Sequence, residues 1–246
     1  MKAAVLKAYD PEVTDRRWVE YEDVAEPQIA HPREVIVRVG GAGVCRTDLH
    51  VIEGLWQEIS EVQLPYIMGH ENAGWVEAVG SGVTTVKSGD AVICHPLRTC
   101  GVCLDCRRGE DMYCAEGIFP GLGTDGGFAE CFLTNERALI KLNQNVLPVD
   151  VAPLADAGIT AYRVAKRAAK TLNPGNYCAL LGVGGLGHVA LQCLHALSGA
   201  RTVAIDNSES ALGSALHAAQ QIKQDSPDAL YDWSSMTPER LKELLG

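Results

Sequence analysis

The sequence predicts an α/β protein with a β-rich N-terminal part and a strand–turn–helix unit in its C-terminal part. Up to about residue 150, short runs of Val and Ile are bounded by Gly, Pro or Asp, as in strands separated by turns. From Pro153 onward, small and apolar residues recur at helical spacing instead. A length of 246 residues allows two domains of ordinary size. We therefore expect domains over 1–152 and 153–246.

The strands of the N-terminal part are predicted over 34–44, 72–83 and 90–96, where Val and Ile runs end at Gly, Pro or Asp. Frequent glycines in this part suit sharp corners and close backbone approaches. An antiparallel barrel is the architecture that these features favour.

The C-terminal part begins with a predicted helix over 155–172 and a turn at 173–175, "NPG". A strand over 177–181, a helix over 188–197 and a strand over 201–206 follow. Beyond that strand we expect helices over 208–224 and 237–246, separated by a turn at Ser226-Pro227. No further Val/Ile strand is predicted there.

The turn after the first of these strands, "GVGGLG", fits the pattern G-x-G-x-x-G. Gly182, Gly184 and Gly187 carry the pattern, and Gly185 lies inside it. Such glycines permit a tight turn and a close approach of a pyrophosphate to a helix N-terminus. Asp206 ends the next strand, where a carboxylate accepts from ribose hydroxyls and repels the 2′-phosphate of NADP. The pattern predicts NAD binding; the alternative is a glycine turn by accident and a structural aspartate.

Four cysteines lie within residues 99–114, with the spacing C-x2-C-x2-C-x7-C. They are Cys100, Cys103, Cys106 and Cys114. One loop with this spacing can place four thiolates around a tetrahedral ion and leave no position for water, which is typical of structural zinc. Inert or reactive thiols are the alternative.

A second possible metal site is dispersed along the chain. Cys45, His70 and Asp156 supply one thiolate, one imidazole and one carboxylate, which leaves a fourth tetrahedral position open, as catalytic zinc requires. Sequence distance does not show that they meet. Taken singly, they also fit a buried thiol, a core histidine and a helix cap.

The composition limits the partners and the compartment. A formal net charge of −10 argues against binding to nucleic acid, because the field of the protein would repel a polyanion. The N-terminus has no apolar signal region and no segment offers eighteen uninterrupted apolar residues, so we expect a cytoplasmic protein with no membrane partner. In a reducing cytosol, closely spaced cysteines indicate metal ligands more than disulfides.

The motifs "GVCRTDLH", "GHENAG", the four-cysteine loop, "PLADAGITAY" and "GVGGLG" occur in an order that resembles zinc-dependent medium-chain alcohol dehydrogenases, in the form with Cys, His and Asp as catalytic-zinc ligands. The resemblance runs from about Met1 to Asp206. It implies a GroES-like catalytic barrel followed by a Rossmann domain that binds NAD, and two zinc ions, one catalytic and one structural. A small alcohol or carbonyl compound would be the substrate.

The resemblance also assigns roles beside the catalytic zinc. Thr47 would begin a proton relay that ends at His50, and Asp48 would orient the imidazole of His70. Glu71 would lie near the metal. The alternatives are a helix cap for Thr47 and a surface histidine for His50.

Two further residues match cofactor-binding positions of the family: Arg46 would contact the pyrophosphate and Thr160 the nicotinamide. Trp56 fits either the substrate pocket or the core.

The C-terminal part of the chain is shorter than the family's nucleotide domain, and the resemblance fades after Asp206. The 70 residues from Tyr177 to Gly246 have room for about two βαβ units, whereas a full doubly wound sheet has six strands. The resemblance thus implies a C-terminally truncated nucleotide domain, and exposed sheet surface there would favour homo-oligomers. Alternative functions are a polyol- or aldehyde-reducing dehydrogenase, or a non-catalytic zinc-binding subunit. A zinc-free quinone reductase would leave both metal sites without a purpose.

Overall fold

The structure, a computed structural model, describes residues 1–14, 18–57, 63–221 and 229–232. The chain divides into two compact units, the first ending at Asp156 and the second beginning at Ala157. No helix among these residues is long and apolar enough to cross a membrane.

The described part of the first unit contains short strands and short helices. The strands are β1 (Lys2–Leu6), β2 (Val19–Asp23), β3 (Glu34–Gly43), β4 (Tyr66–Ile67), β5 (Glu71–Val79), β6 (Ala91–Cys94), β7 (Cys131–Asn135) and β8 (Leu139–Lys141). The α-helices are α1 (Arg46–Ile52), α2 (Leu104–Arg107) and α3 (Pro148–Val151). Turns of 3-10 helix cover Asp111–Tyr113, Glu136–Ala138 and Ala152–Ala155.

The strands of the first unit form a five-stranded sheet of order β7-β3-β5-β6-β8 and a three-stranded sheet of order β2-β1-β4. All their pairings are antiparallel, which confirms the expected strand arrangement. The strand expected to reach residue 83 ends at Val79, because Gly80 and Val83 form a turn in which the Val83 N–H donates to the Gly80 carbonyl.

Apolar side chains pack in three clusters in the described part of this unit, and two of them position the elements that carry the predicted sites. On the five-stranded sheet, alternate residues Val35 and Val37 of β3 are fully buried with Phe132 of β7, as a strand with one core face requires. The second cluster contains Leu6 of β1 and Ile52 of α1. It anchors α1, whose first turn carries several predicted site residues.

The second unit begins with α4 (Ala157–Ala169), followed by β9 (Tyr177–Leu181), α5 (Gly185–Leu197), β10 (Arg201–Asp206), α6 (Glu209–Gln221) and β11 (Ala229–Asp232). Its sheet has the order β11-β10-β9, with all strands parallel. This parallel β–α–β arrangement and the β-rich first unit confirm the α/β fold class.

The expectation that no strand follows Asp206 was wrong. Residues 229–232 form β11, parallel to β10, in the register Val203 to Ala229 through Asp206 to Asp232. The free edge of β10 supplies the backbone partners that this four-residue segment lacks on its own. The predicted turn at Ser226-Pro227 and the predicted helix over 237–246 lie outside the described residues.

Candidate metal and nucleotide sites

His70 is the centre of the predicted catalytic site in the first unit. It precedes β5, and 1% of its surface is exposed. Its Nδ1 lies 3.4 Å from Asp48 Oδ1 and its Nε2 lies 3.7 Å from Asp156 Oδ2. Neither ring nitrogen has a hydrogen-bond partner among the described residues. The ring of Phe119 packs against the imidazole edge to face, with centroids 5.8 Å apart.

Asp48 is positioned by the N-terminus of α1. The N–H of Cys45, the residue before the helix, donates to Asp48 Oδ2 at 2.8 Å. This contact closes the helix start in the way that a capping-box carboxylate does. Asp48 Oδ1 is buried and has no hydrogen-bond partner in the described structure, so it is available to His70 Nδ1.

The electrostatic environment of His70 favours positive charge. Burial lowers the pKa of the imidazole, but Asp48 outweighs burial, Cys45 and Asp156 add to its effect, and the pKa rises to about 9. Burial raises the pKa of Asp156, whose side chain is 28% exposed. The carboxylates of Asp48 and Asp156 on either side of the imidazole therefore favour a positive charge here, either a proton on His70 or a bound cation.

The three predicted catalytic-zinc ligands lie in one region, but their ligand atoms are farther apart than those of the four cysteines. In the described part of the chain, the four cysteines alone form a group of three or more His, Cys, Asp or Glu residues whose ligand atoms all lie within 4.8 Å of one another. Cys45, His70 and Asp156 do not meet that distance. The buried, unpaired Nε2 of His70 is nevertheless the feature expected of a metal-binding imidazole.

The other predicted residues of α1 lie on its first two turns. Thr47 Oγ1 is 3.6 Å from Cys45 Sγ, beside the thiol of the predicted ligand. His50 Nε2 accepts from the Nε–H of Arg46 at 3.4 Å. The Arg46 side chain is exposed, as binding of an anionic cofactor requires. Trp56 packs against the core cluster around Leu6.

Glu71 follows His70 at the start of β5 and is 3% exposed. Its carboxylate occupies the space that a side chain at Gly43 would fill, since a Cβ at Gly43 would overlap Glu71 Oε2. Residue 43 must therefore be glycine for Glu71 to keep this position.

The four cysteines lie in the cysteine lobe, residues 99–114, which connects β6 to the strands that follow. Cys100 Sγ and Cys114 Sγ are 3.7 Å apart. Backbone N–H groups aim at the sulfurs: Cys103 N–H donates to Cys100 Sγ at 3.4 Å, and Cys106 N–H donates to Cys103 Sγ at 3.5 Å. Sulfur atoms about 3.7 Å apart are what Zn–S bonds of ~2.3 Å in a tetrahedron require.

The thiols of the lobe differ in acidity. The N–H groups of Val102 and Cys103 lower the pKa of Cys100 to about 7, so this thiol loses its proton readily. Burial raises the pKa of Cys106 to about 12. A bound divalent cation would favour the thiolate form of all four. None of the nine cysteines of the chain forms a disulfide.

In the second unit, the predicted glycine motif connects β9 to α5. Gly182 has a φ of +82°, a left-handed conformation that favours glycine. A Cβ at Gly187 would overlap the carbonyl oxygen of Gly182, so the helix start can approach the turn only without a side chain. Gly184 and Gly185 face open space, since a Cβ at either position would have no neighbouring atom within 4 Å. The helix N-terminus thus has room for a pyrophosphate.

Asp206 joins this turn to the end of β10. Its Oδ2 accepts from the N–H of Val183 at 2.7 Å and its Oδ1 accepts from the N–H of Ser208 at 2.9 Å. These bonds, that from Val183 first, hold the pKa of Asp206 below its usual value. Asp206 and its neighbour Asn207 line a cavity of about 410 Å³, large enough for part of a nucleotide.

Two residues near the sites carry no recognisable sequence signal. Asn207 lines the cavity beside Asp206. Arg137 binds the cysteine lobe from 23 positions beyond Cys114 in the chain. Thr160, which the resemblance to the family assigns to the nicotinamide, is exposed on α4.

The sequence profile of the alcohol dehydrogenase GroES-like domain matches residues 31–144. An alcohol dehydrogenase of Geobacillus stearothermophilus is 36% identical over 239 residues, which cover 94% of this chain and 67% of the relative. A D-arabinose 1-dehydrogenase (NADP(+)) of Saccharolobus solfataricus is 39% identical over 80% of this chain and 54% of its own length. The chain thus spans between about half and two thirds of the length of these relatives.

The crystal structure of the alcohol dehydrogenase from the hyperthermophilic archaeon Aeropyrum pernix is similar to the whole chain. Its TM-score is 0.89 at 45% identity, and the match covers 100% of this chain and 68% of that protein. The similarity therefore extends past Asp206, where the recognisable motifs end. Together with the matched GroES-like domain, the parallel nucleotide unit and the cysteine lobe, this similarity shows that the chain belongs to the zinc-containing medium-chain alcohol dehydrogenase family.

Proposed function

We propose that the protein is a zinc-dependent oxidoreductase that transfers a hydride between an alcohol and NAD. The observation that carries the proposal is His70: its buried Nε2 has no hydrogen-bond partner in the described structure and lies 3.7 Å from Asp156, while Asp48 lies behind Nδ1. An imidazole buried without partners is costly unless a ligand completes it. A metal ion is the ligand that this set of donors suits.

In the proposed reaction, the carbon of the alcohol gives a hydride to NAD⁺ and the hydroxyl gives a proton to solvent, which yields a carbonyl compound and NADH. When bound, zinc supplies a Lewis acid that makes the hydroxyl proton easier to remove. Cys45, His70 and Asp156 would hold this ion and leave one position open for the substrate oxygen.

The neighbouring residues would orient the ligands and carry the proton. Asp48 is fixed by the Cys45 N–H, and its Oδ1 lies 3.4 Å from His70 Nδ1, where it would orient the imidazole and leave Nε2 available to a metal ion. Thr47 Oγ1, beside the Cys45 thiol, would take up the proton, and His50 would pass it to solvent.

The second unit would hold the cofactor. Gly182, Gly184, Gly185 and Gly187 form the turn that would receive the pyrophosphate, and Arg46 and Thr160 would contact the pyrophosphate and the nicotinamide. The carboxylate of Asp206 favours NAD, because its negative charge repels a 2′-phosphate. The name of the arabinose relative gives NADP(+) as its cofactor, so the preference for NAD depends on Asp206 and not on the family.

A second zinc ion would occupy the cysteine lobe and stabilise its structure, held by Cys100, Cys103, Cys106 and Cys114. The nine free cysteines support a reducing, cytoplasmic location. The domain limits 1–152 and 153–246, with the lobe at 99–114, and association into homo-oligomers stay predictions.

A sugar or polyol as substrate is the second candidate. The relative from Saccharolobus solfataricus named as a D-arabinose dehydrogenase favours it, and it uses the same proposed site. A panel that includes simple alcohols, polyols and aldoses distinguishes the two candidates.

The test combines zinc analysis, NADH titration by fluorescence and turnover of the panel with NAD⁺, all on one preparation. The matched variants are His70→Ala and His31→Ala, the latter an exposed histidine of the same unit. We expect two zinc ions per chain in the wild type and in His31→Ala, and one in His70→Ala. Saturable NADH binding with turnover supports the proposal. Zinc and NADH binding without turnover of any substrate would favour the non-catalytic alternative, and wild-type protein with no zinc at His70 would refute the site.

A further inference from the structure

Arg137 reaches the cysteine lobe from outside it. It lies on the 3-10 helix between β7 and β8, and its Nε–H donates to Thr99 Oγ1 and to Asp111 Oδ1, both at 3.1 Å. Its Nη2 donates to the same Asp111 oxygen at 2.7 Å. Thr99 Oγ1 also donates to Asp111 Oδ1, at 2.9 Å. One guanidinium therefore connects the start of the lobe to its later turn.

The residues that Arg137 binds lie next to the first and last cysteines of the zinc cage, the predicted zinc site formed by the four cysteines of the lobe. Thr99 immediately precedes Cys100, and Asp111 accepts from the backbone N–H of Cys114 through its carbonyl at 3.0 Å. The N–H of Cys100 donates to Cys114 Sγ at 3.5 Å. The two ends of the lobe thus meet at Cys100 and Cys114. Arg137 holds these two thiols indirectly, because it binds Thr99 and Asp111.

Two further contacts join the start of the lobe to the segment that carries Arg137. Gly101 has a φ of +73°, and a Cβ there would lie 3.2 Å from Arg137 Cδ, so the arginine stem passes over a residue without a side chain. From the residue that caps the same 3-10 helix, Asn135 Nδ2 donates to the Thr99 carbonyl at 3.4 Å.

The strength of the contact depends on its geometry. Arg137 is 45% exposed, and an isolated ion pair at such a position contributes little. Two guanidinium donors on one carboxylate oxygen, shared with a hydroxyl donor, form a network, and such networks hold their members in fixed positions.

We propose that Arg137 is a positioning residue for the metal in the cysteine lobe: it holds Cys100 and Cys114 together and so slows the loss of the ion. This inference depends on the proposed zinc cage. Loss of contacts around metal ligands commonly weakens metal binding by roughly 10- to 100-fold. We therefore expect Arg137→Gln to release the metal about tenfold faster. Arg137→Lys keeps the charge but not the planar fork, so its rate should lie between those of wild type and Arg137→Gln.

The experiment follows the lobe itself rather than enzyme activity. Zinc-loaded protein, with its zinc content counted, is mixed with excess EDTA and exposed to an alkylating reagent for increasing times. Mass spectrometry of the peptide that contains Cys100 to Cys114 then gives the rate at which these thiols lose protection. Glu136→Gln is the matched control, because Glu136 lies on the same 3-10 helix but binds Thr84 and Thr85 instead of the lobe.

Faster deprotection in Arg137→Gln than in both wild type and Glu136→Gln, with partial rescue in Arg137→Lys, is the expected result. Equal rates in zinc-loaded wild type and Arg137→Gln would refute the role of Arg137 and leave the cage standing. An equal acceleration in Glu136→Gln would also refute it, because general loosening would then explain the effect. Wild-type lobe cysteines that hold no zinc would refute the cage itself. If Arg137→Gln does not fold, Arg137→Lys is judged against the same two references.

Discussion

Replacing Gly187 by alanine should destabilise the second unit, although alanine is the better helix former. Gly187 lies in the first turn of α5, where a Cβ would overlap the Gly182 carbonyl oxygen and lie 2.7 Å from its carbon. The obstacle is backbone, which cannot rotate away. The same change at Gly213 in α6 meets no atom within 4 Å and provides the matched control.

The two substitutions should change the free energy of unfolding in opposite directions. Alanine gains ~1 kcal/mol over glycine inside a helix, so Gly213→Ala should raise the free energy of unfolding by ~0.5–1 kcal/mol. At Gly187 the same gain is offset by an overpacking cost of ~1–3 kcal/mol, near the upper end because backbone must move. A net loss of ~1–2 kcal/mol is expected. If the turn must shift to relieve the overlap, NADH affinity should fall by roughly tenfold.

Urea denaturation followed by circular dichroism gives the stabilities, and fluorescence titration gives the affinity for NADH. Gly213→Ala should unfold at a higher urea concentration than wild type and bind NADH unchanged. The reasoning would be refuted by a Gly187→Ala protein that is as stable as Gly213→Ala and binds NADH normally, because the close approach of the helix to the turn would then have no consequence.

Three further results are expected. Glu136 is buried and accepts from the N–H groups of Thr84 and Thr85, and these bonds lower the pKa of its carboxyl group. The charged carboxylate therefore stabilises the fold fully above the pKa that Glu136 has in the unfolded chain. This stabilisation is lost as the pH falls through the pKa of Glu136 in the folded protein. Glu136→Gln should lower the free energy of unfolding by ~1–2 kcal/mol at neutral pH. In urea denaturation this difference should shrink as the pH falls through the folded-state pKa of Glu136, and a difference independent of pH would contradict the assignment. Cys114→Ser should reduce the zinc content by one ion per chain, and an unchanged content by atomic absorption would argue against the cage. Asp48→Asn should weaken zinc at His70 by roughly 10- to 100-fold in competition with a chelator while sparing the lobe, and equal loss at both sites would contradict it.

The features predicted most reliably from the sequence are those that depend only on residues close together in the chain. The strands at 177–181 and 201–206 have the expected bounds, because each is an apolar run between turn residues. The four cysteines converge because their spacing is local. In contrast, β11 has little strand character of its own and depends on the edge of β10, so no local pattern predicted it.

Side-chain partners from distant segments were beyond sequence reasoning. Arg137 reaches the lobe only because the connection between β7 and β8 lies beside it, a fact of sheet order and not of spacing. Likewise, the pairing of Asp48 with His70 followed from resemblance to the family, whereas the unpaired state of His70 Nε2 required the packed structure.

The hydrogen bonds of Asp206 bear on how cofactor choice changes in proteins of this type. Its two carboxylate oxygens fasten the turns after β9 and β10 to each other, through Val183 and Ser208. A substitution that only removes the charge, in order to admit NADP, would leave the Val183 N–H without its acceptor and loosen the turn that receives the pyrophosphate. A change of cofactor from NAD to NADP therefore requires two substitutions. One must supply a residue that binds the 2′-phosphate, and the other must supply a hydrogen-bond acceptor that replaces the Asp206 carboxylate between the two turns.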